Sequence, residues 1–185
     1  MKIKKILILG STLLTELVVD RLSEEYELVG YVPSKNPTKV GSINLPEVCI
    51  DQPCDIKLSI QYDLIVKDFN NCFNLHTGIL PHYGGCNILD YTLKNKETEQ
   101  GLTIHKMTNK VDYGPIISKI TYPVLNGDTV ASLYKRILAI APDFVLGSLN
   151  LLKDMSSEEI NRCNKITPTM YKRGEFFPTS ELMEI

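Results

Sequence analysis

The chain has 185 residues, 43% of them hydrophobic and 23% charged, which is enough apolar material for the core of one ordinary domain. Twenty basic residues against 22 acidic ones leave a net charge of -2, which argues against non-specific nucleic-acid binding, a task that needs a strongly positive field. No apolar run approaches the roughly 20 residues that span a bilayer, so no membrane partner is expected. The five cysteines, Cys49, Cys54, Cys72, Cys86 and Cys163, are odd in number and lack paired CxxC spacing. They read as reduced thiols of a cytoplasmic protein, with neither a metal site nor a disulfide framework expected.

The opening "MKIKKILILG" is basic and then apolar, but Glu16 and Asp20 follow and no small-residue cleavage site is evident. It reads as a buried strand entering a helix rather than as a signal peptide. Ser11 or Thr12 can cap that helix, in which Leu13, Leu14, Leu17, Val18 and Leu22 recur at helical spacing. "YELVGYV" reads as the next strand, giving the β-α-β start of an open α/β sheet. Residues 33–54 hold four prolines and Gly41, so they read as loop with a short strand near Val48–Ile50. "DIKLSI" and "NCFNLH" follow as strands, "NILDYTLKN" as a helix, and "GLTIHKM" and "GPIISKITYPV" as two more strands. "DTVASLYKRILAIAPDFVLGSLNLL" has helical periodicity, with Asp128 as its cap and a kink or break expected at Pro142. The tail, "TPTMYKRGEFFPTSELMEI", reads as irregular.

The first βα turn, "LGSTLL", has one glycine and lacks GxGxxG, so NAD or FAD is not expected there. Ser11 at that helix start is a candidate phosphate holder, beside the more ordinary reading of a capped structural turn.

"NLHTGILPHYGG" poses a sharper chemical question. Strand side chains two apart share a face, so Asn74 and His76 point one way while Phe73 and Leu75 point the other. An amide donates N–H bonds to a developing oxyanion, and an imidazole moves protons near neutral pH. Each alone reads equally well as a satisfied polar group. Asp112 in "TNKVDYGP" is the candidate third partner, a carboxylate able to orient His76 and stabilise its charged form. His105 reads as a structural residue inside its strand, and His82 as part of the bend. Cys72 shares the face of His76, but four residues of extended chain span roughly 13 Å, too far for a thiol and its base.

"NLHTGILPHYGG" together with "GLTIHKMTNKVDYGPII" resembles the folate-dependent formyltransferases. The shared pattern is Asn-x-His, a Leu-Pro bend, then Asp-x-Gly after a strand, here Asn74, His76, Leu80-Pro81, Asp112 and Gly114. The resemblance implies a Rossmann-like, open, mostly parallel sheet with flanking helices, in a shortened formyltransferase fold. Residues 1–150 would be the catalytic domain, and 151–185 a short C-terminal extension rather than a second domain.

The same likeness implies formyl transfer from 10-formyltetrahydrofolate to an amine, without a metal. His76 would manage the amine proton, Asp112 would support His76, and Asn74 would hold the carbonyl oxygen. The folate would lie beside Asp63 and Ile65 and against Thr108, Asn109, Lys110 and Val111. Many members carry an Arg where Gly84 stands here. The segment from Ile65 to Asn74 and the region from Pro33 to Pro53 are short for the family, which is compatible with a homodimer completing the pocket. A C-terminal tRNA-binding domain like that of the methionyl-tRNA enzymes is not expected, and the Gly-Ser-Gly turn of the glycinamide ribonucleotide enzymes is missing. A nucleotide-linked amino sugar is therefore the expected acceptor, with Ser11, Tyr171, Lys172 and Arg173 as candidate contacts and Phe176 and Phe177 as stacking groups. A formyl-folate hydrolase and a non-catalytic folate- or nucleotide-binding module are the alternatives.

Overall fold

The computed structural model describes residues 2–37, 40–163 and 167–172. Its elements in chain order are β1 (Lys5–Leu9), α1 (Leu13–Leu22), β2 (Glu27–Val32), β3 (Ile56–Ile60), β4 (Cys72–His76) and β5 (Gly84–Gly85). There follow α2 (Ile88–Lys94), β6 (Glu99–Lys106), β7 (Ile116–Pro123), α3 (Val130–Asp154), α4 (Ser157–Arg162) and β8 (Met170–Tyr171). The main sheet has the order β2-β1-β3-β4-β6-β7. Its first four strands are mutually parallel, and β6 runs antiparallel to both β4 and β7. This is the open, mostly parallel α/β sheet that the pattern of elements implied.

The continuous apolar run of β1 follows from burial on both faces. Ile6 and Ile8 join a core shared with Leu14, Val18 and Leu22 of α1 and with Leu133, Ile137 and Val145 of α3. Leu7 and Leu9 point to the opposite face, where they pack with Val66 and Cys72. On β4 the same alternation puts Phe73 and Leu75 into the helix-covered core. The face carrying Asn74 and His76 is thus fixed by the burial of their neighbours, since a one-residue slip would exchange the two sets.

Several local expectations are corrected. Val48–Ile50 forms no strand; the chain there makes only a bridge between Tyr31 and Glu47, because prolines on either side leave no room for a ladder. The cap of α3 is Thr129, whose side chain accepts the Ser132 N–H in a capping box, while Asp128 binds Arg136 instead. Pro142 lies inside α3, which continues through it to Asp154 and so crosses residue 150. The tail is not wholly irregular, since Met170–Tyr171 pairs in parallel with Gly84–Gly85. At the first βα turn, Thr12 caps α1 in a box with Thr15.

Candidate active site

Asn74 is gripped from both neighbouring strands. Across the parallel pair it faces Ser59, whose hydroxyl donates to Asn74 Oδ1 at 2.8 Å. Across the antiparallel pair it faces His105, and its Nδ2 lies 3.2 Å from His105 Nε2. This fixes the amide with its nitrogen turned away from Ser59. His76, two residues on and 6% exposed, has Nε2 at 2.5 Å from the carbonyl oxygen of Tyr83.

Asp112 arrives from the loop between β6 and β7. Its φ of 58° is a left-handed conformation that Asp tolerates better than most residues. It is 5% exposed, and its Oδ2 accepts the Gly85 N–H at 2.7 Å. Oδ2 lies 3.7 Å from His76 Nδ1, and Oδ1 lies 3.4 Å from His105 Nε2. One carboxylate therefore faces two imidazoles. The structure brings Asn74, His76 and Asp112 to one place and adds His105, which sequence reasoning left as a structural residue. The signal for His105 was its place on a strand that pairs with β4, but only the register reveals that it stands opposite Asn74.

Hydrogen-bond chemistry assigns the protons. A carbonyl oxygen only accepts, so His76 Nε2 carries a hydrogen toward Tyr83 and the neutral ring keeps its lone pair on Nδ1, the Asp112 side. His105 Nδ1 likewise faces the Lys106 carbonyl at 3.1 Å, and its Nε2 faces both the Asn74 amide and Asp112 Oδ1. Burial pushes His76 below the ordinary histidine range, and the Asp112 charge opposes that shift only in part. For Asp112 burial alone would raise the carboxyl, but the His105 contact, the His76 ring and the Gly85 N–H together hold it below the ordinary range. At neutral pH the group is thus a neutral imidazole beside a carboxylate. Cys72 is no competing nucleophile, for burial pushes its thiol up to about 11.

The other sequence-predicted contacts lie at the first βα turn, in the loops after β3 and β6, and in the tail. Ser11 is buried and its hydroxyl accepts the Ser34 N–H at 3.1 Å, so it serves the fold at the turn where a phosphate was considered. Asp63 accepts the N–H groups of Lys35 and Asn36 at 2.7 and 2.8 Å, tying the loop after β2 to the loop after β3. Ile65 is 89% exposed and Val111 69% exposed. Thr108 closes a small turn with Lys110, its hydroxyl donating to the Lys110 carbonyl at 3.0 Å, and Asn109 at the tip is exposed. Tyr171 stacks on Tyr83 with ring centres 5.0 Å apart, and Lys172 is exposed. Arg173, Phe176 and Phe177 lie outside the described residues. A cavity of about 410 Å³ has Ile79, His82, Tyr83, Glu97 and Tyr171 among its walls. None of Asn74, His76 and Asp112 lines it, so it is not where those three groups would act.

The cysteines of the described residues are free, and no group there could hold a metal ion. No helix among the described residues is long and apolar enough to cross a membrane.

Residues 59–147 match the family described as Formyl transferase. A stretch of 101 residues, 55% of the chain, is 34% identical to the bifunctional polymyxin resistance protein ArnA of Wigglesworthia glossinidia brevipalpis. That stretch is only 15% of the relative, so the chain spans a small part of the curated protein it matches. Among solved structures, a sugar 3N-formyl transferase, WlaRD, superposes with a TM-score of 0.78 at 22% identity, covering 96% of this chain and 72% of that one. An N-formyltransferase from Helicobacter canadensis gives 0.79 at 22% identity, covering 94% and 72%. The sheet order described above is thus a formyltransferase fold. Residues 59–147 thus resemble the Formyl transferase family, and the fold is similar to that of these two N-formyltransferases.

Proposed function

We propose that this protein is an N-formyltransferase that moves the formyl group of 10-formyltetrahydrofolate onto the amine of a small substrate, a nucleotide-linked amino sugar. The observation that carries the reading is the convergence of Asn74, His76 and Asp112, from two distant segments, on one buried point. In support of the acceptor class, WlaRD was solved with dTDP and 5-N-formyl-THF, and the Helicobacter canadensis protein with folinic acid and dTDP-3-aminofucose.

The roles follow from the geometry. Neutral His76 takes the proton that the amine must lose, and the Nδ1–H so formed faces Asp112. Asp112, kept anionic, stabilises that charge. Asn74 offers its second Nδ2 hydrogen to the carbonyl oxygen as it becomes negative, the first being directed at His105. The folate supplies the formyl group: the new amide C–N bond forms as the bond from the formyl carbon to N10 breaks, and N10 takes the proton that His76 received, leaving as tetrahydrofolate. Ile65 and Val111, left largely uncovered, suit a flat aromatic ligand, and with Asp63, Thr108, Asn109 and Lys110 they would hold it. Asp63 would act there by shaping the loop at Lys35 and Asn36. Lys172 is an exposed cation that would meet an acceptor phosphate.

In this reading residues 1–150 form the catalytic unit and 151–185 its extension. The protein works in the cytoplasm, where its free thiols stay reduced, and a second copy of the chain can complete the pocket wall.

Incubation with 10-formyltetrahydrofolate and a panel of amino-sugar nucleotides, read by mass spectrometry, tests the proposal. A gain of one formyl group on an amine is expected. Release of formate without formylated amine would establish a hydrolase instead, and folate binding without either product would establish a binding module.

A further inference from the structure

The bend Tyr83–Gly85 touches both candidate proton-handling groups with its backbone. The Tyr83 carbonyl takes the His76 Nε2 hydrogen, and the Gly85 N–H binds Asp112 Oδ2. The bend in turn is held by the tail. Gly84 N–H donates to the Thr169 carbonyl at 2.9 Å, Cys86 N–H to the Tyr171 carbonyl at 3.0 Å, and Thr169 N–H to the Pro81 carbonyl at 2.9 Å. The Tyr171 ring stacks on Tyr83, 8° from parallel, and its centre lies 4.2 Å from that of Tyr91. Asn95 Nδ2 reaches the hydroxyls of both Tyr83 and Tyr171, at 2.9 and 3.2 Å.

This docking needs two glycines. A Cβ at Gly84 would come within 2.9 Å of both Pro168 Cβ and Met170 Sδ, and one at Gly85 would collide with the Tyr171 carbonyl. Gly85 also has a φ of +96°, a conformation that side-chain-bearing residues rarely adopt. The tail strand therefore lies where a larger residue at position 84 would project.

We infer that residues 168–172 are a strap that positions the reacting groups, with Tyr171 as the positioning residue acting through the Tyr83 carbonyl and the Gly85 N–H. The inference rests on the proposed transfer reaction for its purpose, though not for its physical content. Through three backbone bonds and one aromatic stack, the strap sets which nitrogen of His76 carries the hydrogen and where Asp112 sits. A shift of the bend by one ångström would free His76 Nε2 from its carbonyl and break the Gly85 contact. Misplacement on that scale costs about 100-fold in rate.

The test is NMR of ¹⁵N-histidine-labelled protein, with His76 assigned by the signals lost in His76→Gln, together with transfer kinetics. In the wild type the neutral His76 ring carries its hydrogen on Nε2, and the Gly84, Gly85 and Cys86 amides exchange slowly. Tyr171→Ala moves His76 to a mixture of tautomers, speeds exchange of those three amides, and lowers kcat about 10-fold or more with the KM for the folate little changed. Tyr171→Phe keeps the ring stack and retains the wild-type signature. A folded Tyr171→Ala protein with unaltered His76 signals would overturn the inference, as would fast exchange of Gly84 and Cys86 in the wild type, which needs no variant to fold. The NMR readout requires no acceptor amine, so failure of the proposed reaction would leave it readable.

Discussion

Asn74 and His105 stand directly opposite each other across β4 and β6, with Asn74 Nδ2 3.2 Å from His105 Nε2. The candidate oxyanion donor is thereby linked to the same carboxylate that faces His76, since His105 Nε2 lies 3.4 Å from Asp112 Oδ1. The four side chains form one network, and changes within it should not add. Asn74→Ala should lower kcat about 10²–10³-fold, the usual loss for one oxyanion donor. His105→Gln should lower it by about 10-fold through misplacement of the Asn74 amide, a positioning effect. In the double variant the loss should fall well short of the product of the two, as for residues in contact. A double-mutant cycle on kcat checks this, with multiplicative effects counting against a shared role.

The acid side of the rate profile should belong to His76. Burial lowers its value below the ordinary histidine value of about 6.5, so kcat/KM should rise with pH through a midpoint under that figure. Asp112 raises His76 toward the charged form, so Asp112→Asn should move the midpoint further down while reducing the maximal rate. A pH profile for the two proteins decides it; an upward move in the variant would contradict the assignment.

Stability should fall in acid for two separable reasons. For His76 the unfolded chain holds the extra proton between its ordinary value and the lower folded one, so stability drops as pH falls from about 6.5 through that window. For Asp112 the folded value lies below the ordinary 3.8, so its stabilisation is complete above that value and disappears as pH falls through the folded one. His76→Gln should remove the first decline and keep the second, measured by denaturant melts across pH.

At α3 the cap and the ion pair can be told apart. Thr129→Ala should cost about 1 kcal/mol, the usual worth of an N-cap side chain. Asp128 holds Arg136 with contacts of 2.5 and 2.7 Å, and that bond keeps its carboxyl at about 2. Asp128→Asn should therefore lower the melting temperature at neutral pH and much less near pH 2, where the wild-type carboxylate is itself half protonated.

What the sequence disclosed and what it hid divide along physical lines. The face shared by Asn74 and His76 is legible because a strand repeats every two residues and Phe73 and Leu75 are apolar. Asp112 is legible through its motif, though not its left-handed backbone. His105 is hidden because its importance depends on the register of an antiparallel partner strand, which no local pattern specifies. Ser11 and Asp63 sit where a ligand was expected, yet backbone N–H groups of the loop after β2 claim both. The two-residue strand at Met170–Tyr171 is too short to leave a periodic signal, and its partner is a pair of glycines. Thr129, the actual cap, is hidden because Asp128 is an equally good cap one residue earlier; in the structure Asp128 is bound by Arg136, two turns into the helix.

The most direct measurement pairs ligand binding with turnover in His76→Ala and Asn74→Ala. Equilibrium titration should give 10-formyltetrahydrofolate affinities close to wild type for both proteins, while formyl transfer to an amino-sugar nucleotide falls by about 10²-fold or more. Transfer at wild-type rate in either variant would contradict a catalytic centre built on these side chains.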